Sequence, residues 1–204
     1  MRHVDHRARG RDRPDATRPP GPAVRPPPHG VPAVPGPARR AYPLRVTADL
    51  RLRPVRDDDL PEFYRHQSDP EAIRMAAFTA DDPDDRRAFA AHWHRVRTDP
   101  EIVSRTVTVD GRVVGYVLAF PVGKQTEVSY WIDRQHWGRG YATRALDNLL
   151  RELPQRPVHA RAAKDNLGSL AVLRKCGFVI RGEDHGYAAG RGRDVEEYVL
   201  ELTA

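Results

Sequence analysis

The feature that most narrows the possible folds is a change of period midway along the chain. Val103 to Val109 sets valines among serine and threonine, and Arg112 to Phe120 is again rich in β-branched and aromatic residues. Between them lies Asp110-Gly111, a dipeptide that supplies the positive φ angles of a tight hairpin. Glu127 to Ile132, after a turn at Gly123, is a third such run, so three consecutive antiparallel strands are the simplest reading. From Gly140 the apolar residues switch to helical spacing, with Ala142, Ala145, Leu146, Leu149 and Leu150 on one stripe until Pro154 stops it.

The flanks complete a mixed order of elements. Leu50 to Val55 alternates as a half-buried strand would. Asp57 to Asp59 offer N-caps for a helix through Leu60, Phe63 and Tyr64. Asp81 to Asp85, with Pro83 in a first-turn position, lead into Phe89, Trp93 and Val96 at helical spacing. Beyond Pro154, Val158 to Ala163 is expected as a short strand. Ser169 to Cys176 follows as a short helix closed by Gly177, and Phe178 to Arg181 with Val195 to Leu202 as a closing strand pair. The expected class is α+β, with a mostly antiparallel sheet flanked by helices.

Charge looks at first like a nucleic-acid signal, because the formal net charge is +6. Residues 1–45, however, hold 10 of the 34 basic residues and 3 of the 28 acidic ones, which leaves a nearly neutral 24 and 25 for the remainder. A basic domain face that tracks phosphates is not indicated, and nucleic acid or ribosome contact could come only through the tail. That tail also carries 11 of the 19 prolines and no periodic apolar pattern. It cannot recover its ordering entropy by burial, so residues 1–45 are expected to be disordered and residues 46–204 to form one domain. The bland reading of the tail is a dispensable extension or a start codon placed too early. Prolines would break the amphipathic helix of a transit peptide.

Cys176 is the single cysteine, which excludes an intramolecular disulfide and a thiolate cluster and fits a reducing cytoplasm. No run of about 18 apolar residues suggests a membrane span. His92 and His94 point to different helix faces, which argues against a metal pair. Cys176 lies beside a helix cap without an obvious activating base and is read as structural.

Gln135-His136-Trp137-Gly138-Arg139-Gly140-Tyr141-Ala142 sits between the third strand and the long helix. A helix N-terminus exposes unpaired N–H groups and the positive end of a dipole, and so binds a diphosphate when nothing blocks the approach. Gly138 and Gly140 remove obstructing side chains, while Arg134 and Arg139 are placed to neutralise phosphate oxygens. A dinucleotide fold would need a third glycine where Thr143 stands, and a βαβ unit where the meander lies.

Gln135-x-x-Gly138-x-Gly140 matches the Q/R-x-x-G-x-G/A signature of the GNAT N-acetyltransferases. The flanks Glu127-Val-Ser-Tyr-Trp-Ile-Asp133 and Trp137-Gly-Arg-Gly-Tyr-Ala-Thr143 resemble the subgroup containing the ribosomal-protein N-terminal acetyltransferases. Asn166-x-x-Ser169 followed by Lys175-Cys-Gly-Phe178 resembles the family's next block, and the likeness runs roughly from Asp49 to Leu202. The resemblance implies a sheet splayed open beside the loop, acetyl-CoA as co-substrate and no metal. Gln135, His136, Trp137, Gly138, Arg139, Gly140, Tyr141 and Ala142 would hold the diphosphate. Backbone groups at Trp131 and Ile132 would meet the pantetheine, and Asn166 the cofactor from the other side.

Direct attack of a neutral amine on the thioester needs a route for the amine proton and stabilisation of the leaving thiolate. Glu127, at the start of the strand leading to the thioester site, is the candidate base; the bland alternative is a solvated strand end. Ser169 could donate to the departing sulfur or cap the helix it begins. Many relatives have a tyrosine seven residues after the asparagine as general acid, whereas this chain has Leu173. Tyr130, Trp131, Trp137 and Phe178 are read as core or cofactor-flanking aromatics, and His185 and Tyr187 as loop residues bordering the acceptor pocket. The expected activity is acetyl transfer to a primary amine, on a peptide N-terminus or a small molecule, by a monomer or homodimer. The alternatives are a non-catalytic acyl-CoA-binding module and an RNA- or ribosome-associated protein using its tail.

Overall fold

A computed structural model describes residues 48–203; the tail expected over residues 1–45 lies outside them. Seven strands form one sheet in the order β1-β2-β3-β4-β5-β7-β6. They are β1 Leu50–Pro54, β2 Val103–Val109, β3 Arg112–Val122, β4 Gln125–Ile132, β5 Val158–Ala163, β6 Val179–Ala188 and β7 Arg193–Leu202. The helices are α1 Leu60–Gln67, α2 Pro70–Ala76, α3 Arg86–Thr98, α4 Tyr141–Glu152 and α5 Leu167–Lys175.

The expected meander forms as β2, β3 and β4, with Asp110 and Gly111 both at positive φ in the first turn. Residues of β3 and β4 alternate between two layers. Val117, Ala119, Val128 and Ile132 pack with Ala145, Leu146, Leu149 and Leu150 of α4 and with Leu170 and Leu173 of α5. Tyr116, Leu118 and Trp131 face the other way, toward Phe63 of α1 and Trp93 of α3. This is the period-two division that a sheet covered on both faces requires. Gly115 is obligatory between β3 and β4, because any side chain there would overlap the Trp131 carbonyl oxygen.

Every strand pair is antiparallel except β4 with β5, which is parallel and registers over only two residue pairs, Thr126 with Val158 and Glu127 with His159. Beyond Glu127 the two strands part, and the rest of β4 has β3 alone as a partner.

Several local expectations are corrected. Asp59 does not cap α1 with its side chain; it is buried, accepts two bonds of 2.6 Å from Arg53 and one of 2.7 Å from Thr106, and ties β1 to β2. Pro83 precedes α3 rather than occupying its first turn, and the cap is Asp85, which accepts from the N–H groups of Arg87 and Ala88. Helix α2 was not anticipated; Asp69 caps it through the Ala72 N–H. Strand β6 runs to Ala188, well beyond Arg181, so His185 and Tyr187 belong to a strand and not to a loop.

Candidate active site

The loop between β4 and α4 is built for an anion. Gly138 and Gly140 have φ of 73° and 77°, and an added Cβ at either would meet nothing within 4 Å. Backbone conformation, not crowding within the chain, therefore calls for glycine here. Gly140 occupies the N-cap of α4 without a side-chain cap, and the first helical bond runs from the Arg144 N–H to the Gly140 carbonyl. Among the described residues none accepts from the N–H groups of Gly138, Arg139, Gly140, Tyr141, Ala142 or Thr143. Six successive donors without an acceptor among the described residues thus lie on a loop and a helix start, where the positive end of the helix dipole favours an anion.

Of the two arginines expected to assist, Arg139 is exposed and enters no ion pair among the described residues. Arg134 instead binds Asp69 at 2.8 Å, locking the loop to the start of α2. Below the loop, buried Asp133 accepts from the Gln135 N–H at 3.3 Å and lies 3.4–3.5 Å from Arg65, His66 and His136. Burial pushes the Asp133 carboxyl up, but His66, the Gln135 amide and Arg65 together hold it below its ordinary value. His66 is itself fully enclosed, and burial lowers its affinity for a proton.

The opening between β4 and β5 leads away from this loop. The Asp133 N–H donates to the Val114 carbonyl at 2.8 Å, so the Asp133 amide points toward β3. Alternation along the regular β3/β4 register then turns the backbone groups of Val128, Tyr130 and Ile132 toward the β5 side, which is open from Tyr130 onward, and those of Trp131 toward Tyr116. The Ile132 carbonyl is engaged by the Trp137 indole N–H at 2.7 Å. Glu127 and His159 are the last registered pair, so they stand at the vertex where the strands diverge. Glu127 is half-buried on the face that carries Trp131.

Ser169 lies across the opening, in the first turn of α5. It does not cap that helix: Asn166 does, accepting from the Ser169 N–H at 3.0 Å. The Ser169 hydroxyl is thereby left to pair with the Tyr130 hydroxyl at 2.8 Å, while Tyr130 also lies 3.3 Å from the Ser169 carbonyl. Burial pushes the Tyr130 phenol up to about 12 although the Ser169 bond opposes it, so the phenol stays protonated near neutrality. Asn166 also donates to the Met75 carbonyl at 3.0 Å, linking α5 to α2 and leaving one amide hydrogen for a ligand. Leu173 is buried in the α4 layer, away from any polar role. Burial raises the half-buried Cys176 thiol to about 11, which keeps it in the protonated thiol form near neutrality.

Sequence reasoning left Tyr130 among the flanking aromatics. Strand alternation could have placed Tyr130 beside the helix layer, but its hydroxyl contact depends on where α5 docks.

A family model described as an acetyltransferase (GNAT) domain matches residues 49–179. The chain belongs to the GNAT acetyltransferase family. The N-acetyltransferase p20 of Bacillus licheniformis, itself uncharacterized, is 24% identical over 167 residues, covering 76% of this chain and 93% of that one. Spermidine N-acetyltransferase from Vibrio cholerae, solved with CoA and spermine, superposes with a TM-score of 0.66 at 18% identity over 76% of this chain and 95% of that one. RimJ of Mycobacterium smegmatis, solved with CoA-disulfide, gives a TM-score of 0.63 at 22% identity over 76% and 82%. This GNAT chain is an acetyl-CoA-dependent N-acetyltransferase with the splayed, mostly antiparallel sheet expected for the family. Among its described residues no helix is long and apolar enough to cross a membrane.

Proposed function

We propose that the GNAT domain acetylates a primary amine, on a peptide N-terminus or a small molecule, by direct attack within a ternary complex. One observation supports the reading: six successive amides with no acceptor among the described residues follow the end of β4, the strand that leaves β5 beyond Glu127. From Asp133 back to Glu127 is six strand residues, about 20 Å of extended backbone, over which an extended arm can lie from the loop to the vertex. Acetyl-CoA supplies the activated acetyl thioester. The Gln135 to Ala142 loop binds its diphosphate, and the Tyr130 and Ile132 backbone groups pair with its amides.

Glu127 accepts the amine proton, and its half-buried position keeps it within reach of both the gap and solvent. Ser169 donates to the leaving sulfur. Tyr130 directs that donation: when its hydroxyl donates to Ser169 Oγ, the serine proton must point elsewhere. The tyrosine missing at Leu173 is thus replaced by a serine held by a tyrosine from the opposite wall. The reading assigns catalysis to residues 46–204 and places residues 1–45 outside it.

Calorimetric titration of acetyl-CoA into the full chain, with Gly138→Asp as the control, tests the cofactor site. Saturable binding that is lost when a carboxylate faces the diphosphate is expected; no binding by folded wild-type protein would overturn the reading. Acetylation of an Ala-initiated peptide against acetylation of spermidine then separates the two acceptor classes.

A further inference from the structure

Trp137 is the large apolar side chain of the loop between β4 and α4, and core packing does not account for it. Trp93 and Trp131 pack in the layer with Phe63, whereas Trp137 joins none of the core clusters among the described residues and is 39% exposed. Its ring is held by a bond from the indole N–H to the Ile132 carbonyl at 2.7 Å. That oxygen belongs to the free edge of β4. Alternation points the Ile132 backbone groups away from β3, and β5 has already parted from β4 at this level. A side chain of the loop thus fills an edge acceptor that an added extended chain would otherwise take.

Position along this edge matters because a strand edge repeats. Tyr130 and Ile132 each present an N–H and a C=O on the open side, one repeat of about 6.6 Å apart. The backbone alone offers an amide-bearing arm the same pairing at either residue. With the Ile132 carbonyl engaged, the Tyr130 carbonyl is the acceptor left on the open stretch, one repeat nearer to Glu127.

We propose that Trp137 is a positioning residue that sets the register of the acetyl-CoA arm on β4; the inference rests on the reading of this edge as the cofactor site. The indole closes the outer register, so an N–H of the arm pairs with the Tyr130 carbonyl and the thioester is carried toward the vertex. In the outer register the arm, tied at its other end by the diphosphate, lies slack and leaves the thioester about 6.6 Å short. The Ile132 carbonyl keeps a second lone pair, but the bicyclic ring beside it obstructs a second donor along the edge.

Trp137→Phe keeps an aromatic ring and removes the N–H, which opens the outer register as an unproductive way to bind. Unproductive binding withdraws enzyme from the reacting complex and adds affinity in equal measure, so kcat and KM fall together and kcat/KM is unchanged. Two registers that offer the same kind of bond are comparably filled, and both constants for acetyl-CoA should fall about two- to fivefold. The full chain is assayed at saturating spermidine or Ala-initiated peptide, whichever turns over faster. Calorimetry supplies a readout without turnover: acetyl-CoA should bind the variant more tightly by the same factor, while 3′-phospho-ADP, which has the diphosphate but no arm, should bind both proteins equally. Trp137→His places Nε2 at the ring position of the indole nitrogen and should move the constants back toward wild type. A raised KM at unchanged kcat would make the indole a plain cofactor contact. A fall in kcat/KM that tracks the melting temperature would make it structural, and an equal change in 3′-phospho-ADP affinity would make it a support of the diphosphate loop. Each of these results, like wild-type constants in Trp137→Phe, overturns the register assignment. Failure of the folded wild-type chain to bind acetyl-CoA would instead overturn the cofactor reading, and the inference with it.

Discussion

Gly140→Ala isolates what the loop glycines are for. The residue has φ 77° and ψ 7°, a left-handed conformation, and a Cβ there would touch nothing within 4 Å. The substitution therefore carries no packing cost in the free protein, only the roughly 1–2 kcal/mol that an L-residue with a side chain loses in the left-handed region. For a domain of this size that corresponds to a fall of about 2–8 °C in melting temperature. If the loop relaxes to escape the strain, the amides of Tyr141, Ala142 and Thr143 turn away, and acetyl-CoA affinity falls by about 5- to 30-fold for the same free energy. Asn visits the left-handed region at lower cost, so Gly140→Asn should recover much of both losses. Scanning calorimetry and acetyl-CoA titration on the three proteins measure the two quantities. Wild-type values in Gly140→Ala would refute the conformational argument. Equal losses in Ala and Asn would show instead that the ligand, not the backbone, excludes a side chain.

Further outcomes follow from the buried polar groups. Tyr130→Phe should lower kcat by several-fold with little change in KM for acetyl-CoA, and it should add nothing in a Ser169→Ala background; steady-state kinetics on the four proteins decide it. The raised Tyr130 phenol, together with the raised and wholly buried Tyr116, keeps its proton when the unfolded chain begins to lose it near pH 10. The unfolded state then binds fewer protons, so stability should fall as pH rises above about 10, as alkaline denaturation curves would show. Asp59→Ala should cost about 3–5 kcal/mol in urea unfolding, because it strands Arg53 and removes the bonds from Thr106 and the Arg56 N–H. Burial pushes the Asp59 carboxyl up but those bonds hold it below its ordinary value, so its contribution should be intact above pH about 4 and lost as pH falls further.

What the sequence made legible was local. The Asp110-Gly111 hairpin and the α4 stripe depend on neighbours within a few residues and emerged with nearly the right bounds. Strand β6 was underestimated because Gly182, Asp184 and Gly186 read as turn residues. Pairing with β7 overrides that preference, and a bulge between Ile180 and Gly182 absorbs part of the mismatch. Helix α2, at seven residues, is too short to show a period, although Asp69-Pro70 carried a cap and a first-turn proline that mark a helix start. The two uses of Ser169, as helix cap or as donor to the sulfur, were hard to separate in sequence; in the structure Asn166 is the cap and accepts from the Ser169 N–H.

The site was less legible than the fold because its parts meet only through one non-local register. Glu127 and Asn166 could be named from motifs, but Tyr130 sits in an apolar run where an aromatic is unremarkable. The parallel pairing of β4 with β5 makes it matter. Two registered pairs set Glu127 beside β5, and the abrupt end of that pairing leaves Tyr130 facing α5 across a gap. Extending the pairing by two residues would close the gap and engage the Tyr130 amide in a ladder. Removing it would part Glu127 from β5. The length of this short parallel contact therefore sets both the entrance for the cofactor arm and the place of the vertex, which is why neither strand read alone reveals the site.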